Sequence, residues 1–552
     1  MSSRIIGIDL GTTNSCVAVL DERGAPRVLG TAAGERTTPS FVAWTPGGEV
    51  VTGVQARRQA ITNAANTVFG AKRLIGRKVN ADDVSWFARS APFRIVAAPN
   101  GDAWIRIAGN SVSPQEVASH ILRRMREIAE ENLGEAVTRA VVTVPAYFDE
   151  FQRQATRDAG AIAGLDIIRI LNEPTAAALA YGAHRVSAGR RIIAVFDLGG
   201  GTFDISIMSV ESGIFEVLAT GGDSALGGED WDRRMVERVA DEIFDNYRVD
   251  LTTTALALSR LKEACEAAKK ALSTSKEAVV QLPFLASDQN GAPINYERRF
   301  GRDEVDGLTR DLLDRLETPC RRALDDARLR PEQIEEVLLV GGMTRWPTVA
   351  ESVERIFGKK PSRGANPDEV VAQGAAAFAG ILTGEGEDAA LLDVTPHDIG
   401  IKVGESQFSV IIPRNSMLPV RARRVFATSI PDQKFVQIEL YQGDSSDVLQ
   451  NRRLGQVVLD DLPPGPAGSV RVELVLTIDV ESILSLTARE SKTGKQANVT
   501  IRPSGGLSQR EMVEIIARRR AEEHPGQRNR AETGGSLGSI VGGPTPKTIA
   551  DD

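Results

Sequence analysis

Two segments of this chain carry the same arrangement of an acid, glycines and hydroxyls at the end of an apolar run. The first reads IIGIDLGTT over 5–13 and the second IIAVFDLGGGT over 192–202. In each, an aspartate (Asp9, Asp197) is followed by Leu, by glycine (Gly11; Gly199, Gly200 and Gly201) and by threonine (Thr12 and Thr13; Thr202). Glycines in such a turn let backbone N–H groups approach phosphate oxygens with no Cβ between them. The hydroxyls add donors. A carboxylate at the strand end can hold the water shell of Mg²⁺, a cation that gives up its waters reluctantly. The pair points to a polyphosphate and Mg²⁺ held between two matched turns.

Other routes to this chemistry find no support. The P-loop pattern G-x-x-x-x-G-K-[ST] and the dinucleotide fingerprint G-x-G-x-x-G do not occur. His120, His184, His397 and His524 form no metal-ligand spacing, and H-E-x-x-H is missing. Cys16, Cys265 and Cys320 leave no even set to pair and no C-x-x-C, so a reducing compartment is expected and Cys16 reads as a buried strand residue.

The elements that must position the twin turns come from periodicity. Apolar runs over 5–20, 140–144, 192–208 and 337–340 read as buried strands, with each Gly/Thr turn dividing its run into two. Amphipathic helical patterns cover 113–132, 150–163, 231–247, 255–272 and 303–327. Strands alternating with helices indicate an α/β architecture. After a Gly- and acid-rich connection at 383–388 the texture changes. Val436, Ile438 and Leu440 alternate with Gln437 and Glu439, as Val470, Val472 and Leu474 do with Arg471 and Glu473, so 394–501 reads as an all-β sandwich. A last helix begins near Ser508, where Ser508 and Glu511 have capping-box spacing, and ends at His524-Pro525. The Gly- and Pro-rich tail that follows is expected to be disordered.

Composition fits this plan. The 552 residues are too many for one ordinary domain, and 42% hydrophobic with 25% charged residues is a globular balance. A formal net charge of -8 implies no broad basic field. Neither a nucleic-acid partner nor a membrane is expected: no apolar stretch is long enough to span a bilayer and no signal-peptide region precedes residue 4. A cytoplasmic location is the expectation.

Further segments carry a resemblance. DLGTTNS (9–15), KRLIGR (72–77), AVVTVPAYF (140–148), NEPTAAALAYG (172–182), DLGGGTFD (197–204), LGGED (226–230), VGGMTRWP (340–347) and NPD (366–368) occur in this order. The chain resembles the heat-shock chaperone family of the DnaK type from residue 4 to about 511, whereas actin and sugar kinases share only the two turns and a looser adenosine segment. The resemblance implies an actin-like ATPase of two lobes over 1–384, a linker over 385–393, a peptide-binding β-sandwich over 394–503, and a short helix over 504–524 as vestigial lid, before a tail over 525–552. It implies ATP and Mg²⁺, with K⁺ as a second candidate cation. Carried over, Lys72 orients the attacking water, Thr202 contacts the γ-phosphate, and Asp9, Asp197, Asp204 and Glu173 surround the metal, mostly through water. Glu173 precedes Pro174 and is expected at a helix N-terminus. Asn14 extends the first phosphate turn. Gly341, Gly342, Arg345 and Asp368 match the adenosine side, and Glu266, Lys269, Lys270 and Ser273 match the helix clamping ribose and base, with Lys270 where many relatives carry Arg.

For the sandwich, the resemblance places a peptide groove at Ile401, Val403, Phe426, Ser429, Val436 and Ile438. Pro145 and Arg153 match a relay toward it through Leu391, Leu392 and Asp393. A J-domain cochaperone, at Arg169, Asn172 and Asp393, and a GrpE-type nucleotide exchange factor are the implied partners, with extended apolar polypeptides as clients. Three departures stand out. Val403-Gly404 opposite Thr428-Ser429 makes a small arch over the groove. The linker reads Ala389-Ala390-Leu391-Leu392-Asp393, with two aliphatic side chains shortened; at roughly 25 cal/mol per Å², that costs on the order of one to a few kcal/mol of docking. The helical lid is nearly missing. The expected function is an ATPase that couples hydrolysis to binding of apolar segments. The rivals are an ATP-switched adaptor for one dedicated client and, behind it, a small-molecule kinase on the same actin-like core.

Overall fold

The computed structural model describes residues 4–182, 189–362, 366–386, 389–480, 482–501 and 506–523. Its contacts divide the chain into a unit of Met1–Gly506 and a unit of Leu507–Asp552.

Within the first unit, two sheets share one plan. In one, Ile5–Asp9 pairs antiparallel with Asn14–Leu20 and parallel with Arg139–Val144, while Asp166–Asn172 and Pro26–Leu29 lie outside them. In the other, Arg191–Leu198 pairs antiparallel with Phe203–Glu211 and parallel with Glu336–Val340. The repeat seen in sequence is therefore repeated in space: each Gly/Thr run is the turn of a hairpin whose first strand also has a parallel neighbour. Parallel pairs need long crossovers. Helices supply them, among them Pro114–Leu133 with Ser113 as its N-cap.

Each sheet has its own core. Ile6, Ile8 and Val17 pack with Phe69, Phe93 and Ile121, and Phe196, Phe203 and Ile205 pack with Trp231, Leu261 and Trp346. A third cluster joins Ile5 and Val141 of the first sheet to Val195 and Met208 of the second through the helices Glu173–Gly182 and Val370–Thr383. These helices are rich in small residues for a steric reason. A Cβ on Gly374 would overlap the Ala176 carbonyl, and one on Gly7 would overlap the Ala376 backbone.

The helical pattern over 303–327 is two helices, Arg302–Leu308 and Arg310–Asp326. Thr309 separates them: its backbone leaves the helical region at φ -115° and ψ 14°, while its N and its hydroxyl both donate to the Val305 carbonyl, at 3.0 and 2.8 Å. Helix Val370–Thr383 ends on Gly384 at φ 73°, and 387–388 of the acidic connection lie outside the described residues.

Ala390–Leu392 of the linker then forms a fifth strand of the second sheet, parallel to Ile214–Glu216, with Ala390 N donating to Gly213 O at 3.0 Å. Backbone groups make these bonds, so the shortened alanines do not remove them, and Ala389 and Leu391 still pack against the third core.

The β region comprises two four-stranded antiparallel sheets. One runs Gln407–Ile412, Ile399–Val403, Val436–Gln442, Arg452–Leu459; the other runs Val420–Ala427, Arg471–Ile478, Leu484–Glu490, Gln496–Ile501. They share one core. Polar contacts tie this region to the α/β region: Arg414 to Asp326 at 2.9 Å, Tyr147 Oη to Asp444 at 2.8 Å, Arg322 to Asp444 at 2.9 Å and Arg452 to Asp149 at 2.8 Å.

In the second unit, Gln509–Glu523 is a helix. Ser508 and Glu511 cap it reciprocally, Glu511 N donating to Ser508 Oγ at 3.2 Å and Ser508 N to Glu511 Oε2 at 2.8 Å. The expected disordered tail over 525–552 lies outside the described residues. Among the described residues, no helix is long and apolar enough to cross a membrane.

The interlocked small-residue helices set a first test. Gly374→Val should destabilise the protein by about 2–3 kcal/mol, the cost of overpacking a tight contact, read as a lower urea midpoint. An unchanged midpoint would show that the two helices do not approach as described.

Candidate functional site

The twin turns open on a cavity of about 780 Å³ between the two sheet systems. Its wall includes Asp9, Gly11, Thr12, Thr13 and Asn14 from the first turn and Asp197, Gly199, Gly200 and Thr202 from the second. The turns touch: a Cβ on Gly200 would overlap the Thr13 hydroxyl. Each has its own brace. Ser40 holds the first, its Oγ donating to Gly11 O and its N to Thr13 O, both at 2.8 Å. The start of helix Gly228–Tyr247 holds the second, Gly228 N donating to Gly199 O at 3.0 Å and Glu229 N to Gly200 O at 2.8 Å.

Lys72 and Glu173 also reach the wall, both buried and paired at 2.6 Å. Glu173 is the first residue of its helix. Lys72 lies in a single helical turn, Ala71–Arg73, with Phe148 below its ammonium at 5.7 Å from the ring centroid. Its neighbour Arg73 crosses to the other side of the cavity, bonding Asp230 through Nη1 at 3.2 Å. The run KRLIGR thus joins the two sides through Lys72 and Arg73.

The carboxylates here are not at ease. Burial, and then the charge of Glu173, push Asp9 up to about 7. The same two causes push Asp204 up to about 7, and burial followed by Glu173 raises Asp197 well above its ordinary value. Buried acids crowded in this way, with Lys72 as the ammonium among them, favour a cation that would neutralise them. No three His, Cys, Asp or Glu among the described residues converge closely enough to ligate an ion directly. A hydrated Mg²⁺, reached through water, is the form that fits this donor set.

Asp204 and Gly201 do not lie on the wall. Asp204 sits opposite Asp197 in the hairpin register, fully buried, its Oδ1 accepting from Tyr147 N at 2.9 Å. It acts on the cavity through Asp197's charge state. A Cβ on Gly201 would press on Thr12 and Arg73, so this glycine serves the approach of the two turns.

The far end of the cavity is lined by Glu266, Lys269, Lys270 and Ser273 from helix Ala255–Leu272 and its C-cap, and by Gly341, Gly342, Arg345 and Asp368. Lys269 is fixed by Asp232 and by Gly228 O, both at 2.8 Å. Burial works to raise Glu266, but Lys270, bonded to it at 2.5 Å, together with Lys269 and Arg57 holds it below its ordinary value. Gly341 has φ 81°, and a Cβ there would overlap Leu198 O, so only glycine fits against the second turn. Arg345 pairs with Asp368 at 2.7 Å, which orients an exposed guanidinium plane.

Sequence reasoning missed several wall residues, including Phe41, Phe69, Lys262, Glu229, Asp232 and Met343. Lys262 could have been found: it precedes Glu266 by one helical turn on the face that carries Lys269 and Ser273. Its ammonium lies 3.8 Å from the Phe69 ring centroid, and burial lowers its pKa. Phe41 and Phe69 left no such signal, since isolated aromatics read as core.

The residues expected to form a relay are joined in a chain, buried at Arg153 and Asn172 and half-buried at Asp393. Arg153 Nη2 donates to Asn172 Oδ1 at 2.7 Å, and Asn172 Nδ2 donates to Asp393 Oδ2 at 2.7 Å, directly after the linker strand. Pro145 O accepts from Phe148 N in the adjoining turn at 3.2 Å. Arg169 lies over the Phe378 ring at 5.8 Å. In the sandwich, Ile401 and Ile438 are core, while Phe426 and Val436 are only partly covered by it. Thr428, expected on the arch, is buried, whereas Val403 and Ser429 are exposed. Cys16 is buried in its strand, and burial raises its thiol pKa, as its reading required.

A family model described as Hsp70 protein matches residues 5–541 of this chain.

The shifted carboxylates predict a pH dependence. Asp9 and Asp204 hold protons up to about 7 when folded, but only to about 4 when unfolded. Their contribution to stability is therefore complete below about pH 4 and lost as pH rises through 7. Mg²⁺·nucleotide competes with those protons. The gain in melting temperature on adding it should be larger at pH 8 than at pH 6, with proton release in calorimetry. An equal gain at both pH values contradicts the charge assignment.

Proposed function

The chain belongs to the Hsp70 family, and on that premise we propose that this ATP-binding chaperone couples ATP hydrolysis in the twin-turn cavity to gripping and releasing extended apolar segments at the sandwich. The observation that carries this reading is the linker strand. Ala390–Leu392 extends the sheet whose first hairpin bears Asp197 to Thr202, so a shift of that hairpin is felt directly at the entry to the sandwich. The Arg153–Asn172–Asp393 chain gives the same entry a second tie to the helix that begins at Glu173.

In the actin-like reading of the two sheet systems, backbone N–H groups of both turns hold the β- and γ-phosphates, with Thr12, Thr13 and Thr202 adding hydroxyls. Lys72, fixed by Glu173, places a cation where charge develops on the transferred phosphoryl group and orients the attacking water. Asp9, Asp197 and Glu173 hold metal-bound waters, with Asp204 behind them. Bound Mg²⁺ offsets phosphate charge. Glu266, Lys269, Lys270 and Ser273 grip the ribose and base from one side, and Gly341, Gly342, Arg345 and Asp368 from the other, where a guanidinium plane can stack on adenine.

The groove comprises Phe426 and Val436 with Val403 and Ser429 at its rim and Ile401 and Ile438 beneath. Extended peptides in such sites gain affinity from backbone bonds and selectivity from a side-chain pocket. A J-domain partner would meet Arg169, Asn172 and Asp393, and an exchange factor of the GrpE type would reopen the nucleotide cavity.

Fluorescence anisotropy of a labelled apolar peptide tests the coupling: binding with ADP, and faster release with ATP. Lys72→Ala should lower turnover by about 10²–10³-fold while nucleotide stays bound. If ATP leaves peptide kinetics unchanged, the coupling is refuted even where the ATPase stands.

A further inference from the structure

Of the four histidines, which form no metal-ligand spacing, His397 lies where the sandwich meets the α/β region. It follows Asp393 by four residues and leads into strand Ile399–Val403, and its side chain is only 12% exposed. Both ring nitrogens face oxygens. Nε2 lies 3.1 Å from the carbonyl oxygen of Tyr147 in the α/β region, and Nδ1 lies 3.4 Å from Oδ1 of Asp444 in the sandwich. A carbonyl and an ionised carboxylate can only accept. A neutral imidazole has one N–H and leaves a lone pair aimed at one of the two oxygens, whereas an imidazolium donates to both. The Tyr147 ring, its centroid 4.2 Å from that of His397, also favours a cation.

The charges around this contact keep Asp444 ionised. Burial works to raise it, but His397, Tyr147 and Arg322 together hold it well below its ordinary value. Tyr147 Oη and Arg322 Nη2, the latter from helix Arg310–Asp326, donate to Asp444 Oδ2 at 2.8 and 2.9 Å. That leaves Oδ1 to His397 and to Asp398 N, both at 3.4 Å. From the start of helix Glu150–Ala163, Asp149 and Glu150 lie within electrostatic reach of the ring, with Arg153 and Arg157 near Glu150. Arg452 answers Asp149 at 2.8 Å, and Arg414 answers Asp326 at 2.9 Å and approaches Asp398 at 4.0 Å. The arginines oppose a further cation and the acids favour one; the two acceptors at the ring nitrogens decide.

We propose that docking of the sandwich on the α/β region takes up a proton at His397, so that mild acid tightens this seam and alkali loosens it. This goes beyond the coupling proposed above: the linkage holds with or without peptide. Undocked, the ring is open to water and protonates as an ordinary histidine, near about 6.5. Its contribution to docking is therefore complete below about pH 6.5 and is lost as pH rises above it. Tyr147 carries the effect inward, since its N donates to Asp204 Oδ1 at 2.9 Å behind the cavity wall.

Single-molecule energy transfer tests this in the full chain, with dyes on Glu332→Cys and Lys492→Cys, both exposed, while the three native cysteines are buried. At a nucleotide concentration that populates docked and undocked molecules, their ratio should fall roughly three- to tenfold between about pH 6 and pH 8, since one unit of proton affinity is tenfold. Asp9 and Asp204 titrate over the same range, so the measured quantity is the part of that fall that His397→Gln removes. Asp444→Asn should remove the same part by taking away the acceptor instead. A wild-type ratio that stays level or rises with pH overturns the linkage, as does a single population at every pH. A fall that survives both substitutions unchanged belongs to other groups and overturns it too, whatever becomes of the ATPase or of peptide binding.

Discussion

Glu173, Asp197 and Asp204 are buried around Lys72 with Asp9 half-buried beside them, and much of the molecule can be understood from what that crowding demands. Carboxylates removed from solvent keep their charge only when something positive is near. Lys72 answers Glu173 directly, leaving the aspartates with raised proton affinity. In the proposed function, a hydrated divalent ion and a nucleotide's phosphate chain would complete the site in a way the protein alone does not. Function and electrostatic relief then coincide, because the ligand that is turned over also settles the charges that hold it.

That arrangement requires two hairpins from distant parts of the chain to meet, and the core between them is built for close approach. Alanines and glycines of Glu173–Gly182 and Val370–Thr383 let the two sheets share one cluster without bulky side chains in between. The same economy governs the linker. It joins the second sheet through peptide groups, so alanine in place of larger residues weakens side-chain packing but keeps the strand in register. Part-buried ion pairs such as Arg414–Asp326 and Arg452–Asp149 then fasten the sandwich to the α/β region.

At the sandwich the balance is different. Ile401 and Ile438 belong to its core, so the open apolar surface falls to Phe426, Val436 and the exposed residues around them. Thr428, whose backbone N donates to Val470 O at 3.0 Å, is buried, which leaves Val403 and Ser429 as the exposed residues of the expected arch.

The twin turns, the α/β alternation, the change to alternating strands after residue 394 and the helix cap at Ser508 were all legible in sequence, because each rests on local rules: glycine in a turn, period-two or helical spacing, a capping pair. The split at Thr309 was less visible, since it is a change of backbone angles at one residue inside a continuous amphipathic pattern. Other features had no local signature. Lys72 becomes special only when Glu173, a hundred residues away, is brought within 2.6 Å. Phe69 joins the cavity through Lys262 of a distant helix, and Asp204 moves behind the wall because Tyr147 takes its oxygen. Sequence alone determined which residue types could hold phosphate and metal. Tertiary structure decided which of them meet, since burial and the charges of partners far along the chain set each group's protonation and reach.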